Sequence, residues 1–278
     1  MKLIFVTYGD RGYEAAKKEI LRQAEGVGEF DEIIALDRGG LSPELLSSEI
    51  INVPRGGGLW SWKPDVIFFT MSKYNIGDVL VYCDAGCTLS PSPEWNRYWK
   101  KLLNADIVAQ RIYQRTDRWT RKELLEYFSD NGTKWYKGCQ YQATVIILKI
   151  TEFTRQLVRE WRDIVLFHPE LLYDVTEGER QGQHRGFIEN RHDQAVFSAL
   201  IYKYLANPET RGKIYAQWEH IEDCDPFCRQ AIRATRLRNG EDETWPRRLL
   251  AMMKRVIKNL TYRPFYAMLH KINEGYVE

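Results

Sequence analysis

The chain has 278 residues, 44% hydrophobic and 28% charged, and its 40 basic and 38 acidic side chains give a formal charge of +2. This composition excludes disordered, collagen-like and membrane-spanning classes, and the near-balanced charge argues against a dedicated nucleic-acid binder. The length allows one large domain, or one domain with an extension.

Met1-Lys2 leads into Leu3-Ile4-Phe5-Val6, an apolar run too short for a signal-peptide core. It reads as a buried first strand ending in the polar turn Thr7-Tyr8-Gly9-Asp10-Arg11-Gly12. A helix is expected over about 13–25, with Ala15, Ala16, Ile20 and Leu21 on one face and Gly26 and Gly28 closing it. Glu32–Leu36 is the next strand. Strand, turn, helix and strand in this order predict an α/β layer structure with a parallel sheet. Ligands of such sheets sit beyond the carboxyl ends of the strands, so residues 7–12 form a candidate ligand loop.

Arg38-Gly39-Gly40 and Arg55-Gly56-Gly57-Gly58 flank a helix start at Ser42-Pro43-Glu44. Three consecutive glycines permit either close approach to a ligand or a flexible turn. A helix follows near 64–73, then a buried strand over Asp78–Cys83 that ends in the acidic turn Asp84-Ala85-Gly86-Cys87. Further helices are expected at 93–103, 120–129, 151–166 and 192–204, with a strand at 143–149. The polar segment 174–191 reads as a loop over the site.

Four constellations can carry chemistry. Asp84-Ala85-Gly86, at a strand end, places a carboxylate where it can accept from a ribose hydroxyl or help hold a divalent cation; an ordinary turn is the alternative. Arg191-His192-Asp193-Gln194 precedes an apolar helix, where Asp193 is either a helix cap or a base, charge stabiliser or sugar-hydroxyl acceptor. In Trp60-Ser61-Trp62-Lys63-Pro64 the indoles either stack on a base or sugar or fill the core, and Lys63 suits a diphosphate. Gln140-Tyr141-Gln142-Ala143 offers amides at a strand start, either for sugar hydroxyls or as a polar strand edge. Five cysteines, an odd number in a chain too long to need staples, fit a reducing compartment. Cys83/Cys87 and Cys224/Cys228 have helical rather than zinc-knuckle spacing, and Pro226 weakens a zinc reading that would add His220.

These elements, in this order, resemble the GT-A glycosyltransferases of bacterial and viral type found in capsule and O-antigen gene clusters. The resemblance rests on Phe5–Asp10, Phe30–Ile34, Gly58–Pro64, Gly77–Cys87, Arg118-Trp119-Thr120, Gln142-Ala143 and Arg191–Ser198. It implies a Rossmann-type, mostly parallel sheet flanked by helices over residues 1–210, with a helical basic extension over 211–278. It further implies a nucleoside-diphosphate-sugar donor, UDP-sugar first, and a saccharide or lipid-linked saccharide acceptor. Donor contacts would come from Thr7, Tyr8, Gly9, Arg11, Trp62, Lys63, Asp84, Ala85, Gly86 and Gln194. Asp193, Gln142 and His192 would serve catalysis, by a retaining course. Asp84 matches the first acid of the D-x-D motif that binds Mn²⁺ or Mg²⁺, but Gly86 stands at the second. A metal-dependent phosphoesterase using Asp84, Asp193 and His192 is the alternative enzyme, although it would need more Asp and His residues.

Residues 245–273 carry seven basic and no acidic residues. At 100° per residue, Leu249, Leu250, Met252, Met253, Val256, Ile257 and Leu260 share an arc of about 160°, opposite Arg247, Arg248, Lys254, Arg255 and Lys258. Such a helix either lies in an anionic membrane surface or packs its apolar face on the main domain. The first option predicts a cytoplasmic protein peripheral at the inner face of the membrane, and a non-catalytic surface adaptor is its alternative function.

Overall fold

The computed structural model describes residues 1–131, 134–221, 230–235 and 245–261. The strands are β1 (Leu3–Tyr8), β2 (Glu32–Leu36), β3 (Val79–Cys83), β4 (Thr88–Leu89), β5 (Ile107–Arg115), β6 (Cys139–Tyr141), β7 (Val145–Lys149), β8 (Ile214–Trp218) and β9 (Ile232–Arg233). The helical segments are α1 (Glu14–Val27), α2 (Pro43–Ser47), α3 (Gly56–Leu59), α4 (Trp62–Met71), α5 (Glu94–Asn104), α6 (Lys122–Tyr127), α7 (Glu152–Phe167), α8 (His192–Ala206), α9 (Pro208–Arg211) and α10 (Trp245–Leu260).

Seven strands form the main sheet in the order β2-β1-β3-β7-β5-β6, with β8 also on β5. β1 pairs in parallel with both β2 and β3, and β5 in parallel with β8; β7 runs antiparallel to β3 and β5, and β6 antiparallel to β5. Five strands therefore point one way and only β6 and β7 the other, so the sheet is mostly parallel, as expected from sequence. β5 is wedged between β6/β7 on one edge and β8 on the other.

The side-chain alternation of the strands feeds two apolar layers. Val6, Tyr8, Leu80, Tyr82, Ile146 and Leu148 face one core, shared with Val66, Ile67 and Met71 of α4, Leu157 and Trp161 of α7, and Val196 and Leu200 of α8. Phe5, Val79, Val81, Cys83 and Ile147 face the other, shared with Ile20 and Ala24 of α1 and Trp95 and Tyr98 of α5. Helices thus cover both faces of the sheet, which is why its central strands are continuous apolar runs.

Several local expectations are corrected. The buried face of α1 is Ala16, Lys17, Ile20 and Ala24, while Ala15 is exposed and Leu21 half-buried. Gly26 lies inside that helix, and Gly28 ends it at φ +70°. α6 is shorter than 120–129. Cys83 closes the strand, as expected, and Cys224 and Cys228 lie outside the described residues. β8, at Ile214–Trp218, joins the main sheet beside β5, and β9 pairs with β4 in a separate two-stranded sheet.

In α10 the apolar residues with described side chains face outward: Leu249, Leu250, Met253, Val256, Ile257 and Leu260 are all exposed, Leu260 at 75%. Among the described residues none of these six side chains is buried. Among the described residues no helix is long and apolar enough to cross a membrane.

Candidate active site

The carboxyl ends of β1, β2 and β3 lie side by side, because these three neighbouring strands run in parallel. Thr7, at the end of β1, is fully buried and donates its hydroxyl to the Cys83 carbonyl (2.8 Å), tying the two strand ends together. The Tyr8 ring stacks on Trp62 at 4.1 Å, and burial, with Asp10 adding to it, pushes its hydroxyl pKa up to about 12. Space at Gly9 is tight: an added Cβ would lie 3.0 Å from Tyr13 Cβ. Asp10 closes the turn by accepting from the Gly12 amide (3.1 Å). Arg11 sits in this turn, with its side chain outside the described set.

Lys63 is the centre of the site. Its ammonium lies 2.8 Å from Asp193 Oδ2 and 3.3 Å from Asp84 Oδ1, and its side chain is only 3% exposed. The faces of Trp62 and Tyr82 are each 5.7 Å away. Burial pulls the Lys63 pKa down, but Asp193 and then Asp84 outweigh it and hold the ammonium above its ordinary value. Asp193 is fully enclosed, and burial raises its carboxyl despite Lys63. Asp84 is more open, with 27% of its side chain exposed. It accepts at 2.6 Å from the Tyr82 hydroxyl, which burial, reinforced by Asp84, keeps protonated. Tyr82 lies within the resembling segment but sequence reasoning gives it no site role, although its i, i+2 spacing from Asp84 along a strand puts both on one face.

α8 supplies the far wall. Asp193 is the second residue of that helix and does not cap it. His192 has φ +48°, and its ring stacks on Trp60 at 5.6 Å. Its Nδ1 lies 2.7 Å from the Leu172 carbonyl, so Nδ1 carries a proton and donates. Burial lowers the His192 pKa, with Asp174 and Asp193 opposing. Gln194 donates to Gln140 Oε1 at 2.7 Å, and Gln140 in turn donates to the Trp119 carbonyl and the Thr120 hydroxyl. Gln142 stands apart: its amide clamps both the carbonyl and the N–H of Val145 at 2.9 Å, closing the turn between β6 and β7. Ala85 is buried in the turn after β3, and the Gly86 carbonyl accepts from Thr235.

Gly56-Gly57-Gly58-Leu59-Trp60 has positive φ throughout and forms one left-handed turn. Its amides from Gly57 to Ser61 all donate within the segment 53–61, so the glycines serve the backbone path and do not cradle a phosphate. Sequence reasoning also missed Arg55, which pairs with Asp174 (2.7 Å) and Glu189 (3.5 Å) and so fixes the 174–191 loop beside this turn.

The divalent cation implied by the D-x-D resemblance does not fit this donor set. Asp84 Oδ1 is already engaged by Tyr82 and Lys63, and Gly86 supplies no second carboxylate. Among the described residues no group of three His, Cys, Asp or Glu could hold a metal. A divalent ion about 4 Å from the ammonium would meet about 8 kcal/mol of repulsion at an effective dielectric constant near 20.

The fold and site together define an α/β protein with an acid–ammonium–acid centre at the carboxyl edge of a mostly parallel sheet. No family model matches the chain, and no curated protein matches it. Among solved structures it is similar to the galactosyltransferase LgtC in complex with donor and acceptor sugar analogues, at 13% identity over 90% of this chain and 95% of that one, with a TM-score of 0.37. It is also similar to the glycosyltransferase GlyE of Streptococcus pneumoniae TIGR4, at 10% identity over 94% and 66% of the two chains, TM-score 0.42. A third is mouse xyloside xylosyltransferase 1, at 13% identity over 81% and 86%, TM-score 0.38.

Proposed function

We propose that the chain is a GT-A-type glycosyltransferase that moves a sugar from a nucleoside diphosphate sugar, with UDP-sugar the first choice, to a glycan or lipid-linked saccharide in surface-polysaccharide synthesis. The observation that carries this reading is the Asp84–Lys63–Asp193 cluster at the carboxyl ends of β1 and β3, beside the stacked Tyr8–Trp62 pair. Its chemistry suits sugar transfer. A transition state of oxocarbenium character is stabilised by a fixed carboxylate, and Asp193 is held in place by its ion pair. The partly open Asp84 is suited to accept from ribose or sugar hydroxyls, and the turn at residues 7–12, with Ala85 and Gly86, borders the diphosphate. Gln194, tied to Gln140, lines the donor sugar. His192 and Gln142 act by position, one setting the start of α8 and the other closing the turn before β7.

We take the reaction to retain configuration, with the leaving phosphate accepting the acceptor hydroxyl's proton, so that no separate base is needed. α10 brings the protein to the inner face of the cytoplasmic membrane, near a lipid-linked acceptor. The test is thermal shift of the full chain against UDP-, GDP-, dTDP- and CMP-sugars. A UDP-sugar is expected to raise the melting temperature by mass action, and Asp84→Asn to diminish the shift. Absence of stabilisation by every donor would overturn the reading, as would full function in Asp84→Asn, which an adaptor would tolerate. Release of inorganic phosphate from simple esters without sugar transfer would favour the phosphoesterase.

A further inference from the structure

A cation bound by a protein is usually recognised by anionic ligands, aromatic faces and exclusion of water. All three surround Lys63. Two carboxylates from different elements, Asp84 after β3 and Asp193 in α8, approach its ammonium at 3.3 and 2.8 Å. Trp62 and Tyr82 present their rings to it, and the side chain is 3% exposed. Lys63 is anchored covalently in the first turn of α4, with Pro64 next to it, so its position is set by the fold and not by solution ion concentration.

We propose that Lys63 is the resident cation of this site, occupying the place a divalent metal would take, so that a nucleoside diphosphate binds without metal. The proposal rests on the donor reading above. The arrangement accounts for Gly86: the one captive ammonium is already shared between Asp84 and Asp193, so a further acid would add charge with no partner. It also accounts for the burial of Asp193, which would otherwise be an uncompensated carboxylate in the core. Tyr82 completes the device by donating to the same Asp84 oxygen that faces the ammonium, leaving the other oxygen of that carboxylate for a ligand hydroxyl.

The experiment uses the full chain and two probes. Titration calorimetry with UDP and with GDP is run in EDTA and again in Mn²⁺. Separately, Mn²⁺ alone is titrated while the resonance of the free ion is followed. The expected result is the same diphosphate affinity in both buffers and an undiminished free-ion signal. An affinity that rises about tenfold or more with Mn²⁺, or capture of Mn²⁺ by the protein that is lost in Asp84→Asn, would overturn the proposal. If neither diphosphate binds in either buffer, the donor reading fails on its own. The Mn²⁺ titration still decides the role of Lys63: ion left free sustains it, and ion captured at Asp84 refutes it.

Discussion

Removing the Lys63 ammonium leaves Asp84 and Asp193 facing each other inside the protein, with only Tyr82 to satisfy one of them. Breaking a buried ion pair by deleting one partner costs about 3–5 kcal/mol, because a charge is stranded. Lys63→Met should therefore lower the unfolding free energy from chemical denaturation by about that amount. Adding Asp193→Asn should recover part of the loss, since the two residues share one interaction; strictly additive losses would separate them. Asp193→Asn alone keeps the Lys63–Asp84 pair. It should reduce kcat about 10²–10³-fold, the scale of one preorganised electrostatic group, with a smaller change in donor affinity. Full turnover in a folded variant would remove Asp193 from the chemistry. His192 gives the site its acid sensitivity. Burial depresses its pKa, so the unfolded chain takes up the proton first as pH falls. The stabilisation is then complete above about pH 6.5, the free-histidine value, and is lost on acidification through the lower folded-state value. Asp174, Asp193 and Arg55 are the charged groups acting on it. His192→Gln keeps a donor for the Leu172 carbonyl but cannot titrate. Its melting temperature should fall less than wild type between pH 7.5 and 5.5, and equal falls would assign the sensitivity elsewhere.

The left-handed turn of α3 delivers Trp60 to His192 and aims α4 so that Lys63 enters the cluster. Gly58 and Gly77 separate strain from space. Both have φ near +100° (+102° and +96°), but a Cβ on Gly58 would lie 2.8 Å from Ile51 Cα, and one on Gly77 would meet nothing within 4 Å. Gly77→Ala should therefore cost only the backbone term, about 1–3 kcal/mol. Gly58→Ala should cost clearly more and also weaken donor binding, since relief of the clash must shift the turn before Lys63. Equal costs in denaturant titration would show that the turn yields freely. The sequence made parts of this arrangement visible. β1, α1, β2, α4, β3, α7 and α8 were legible because each is a long apolar or amphipathic run with a clear start or stop, and the strand-end rule then placed Asp84 and residues 7–12. β5 was not legible. Ile107-Val108-Ala109 is apolar, but the buried Gln110 breaks the run, and Arg111-Ile112-Tyr113-Gln114-Arg115 is only half-buried and lacks the pattern of a buried strand. β8 failed for a related reason: only Ile214 of its five residues is buried. The contact of Lys63 with Asp193 spans 130 residues of chain, and no local periodicity encodes such a meeting. Gln142 shows the reverse, a residue whose chemistry suited a sugar but whose amide is spent on a turn.

At the scale of the whole molecule, charge is segregated. With seven basic and no acidic residues in 245–273, the remainder carries 2 − 7 = −5. The net-negative remainder would be repelled on average by an anionic surface, whereas α10 joins an exposed apolar face to five basic residues in sequence. Each basic side chain near such a surface contributes about 1 kcal/mol before screening, and the effect fades beyond a Debye length of about 8 Å at physiological salt. That supports reversible attachment. The full chain should sediment with vesicles containing phosphatidylserine and return to the supernatant at high salt. Met253→Glu with Ile257→Glu tests the apolar face without touching the basic residues. Both positions are more than half exposed (57% and 55%), so the substitutions should leave the melting temperature nearly unchanged, as surface changes do, while abolishing sedimentation. If the double variant unfolds several degrees earlier, the face packs against protein. If it sediments as before, charge alone holds the chain to the bilayer and the apolar stripe has another use.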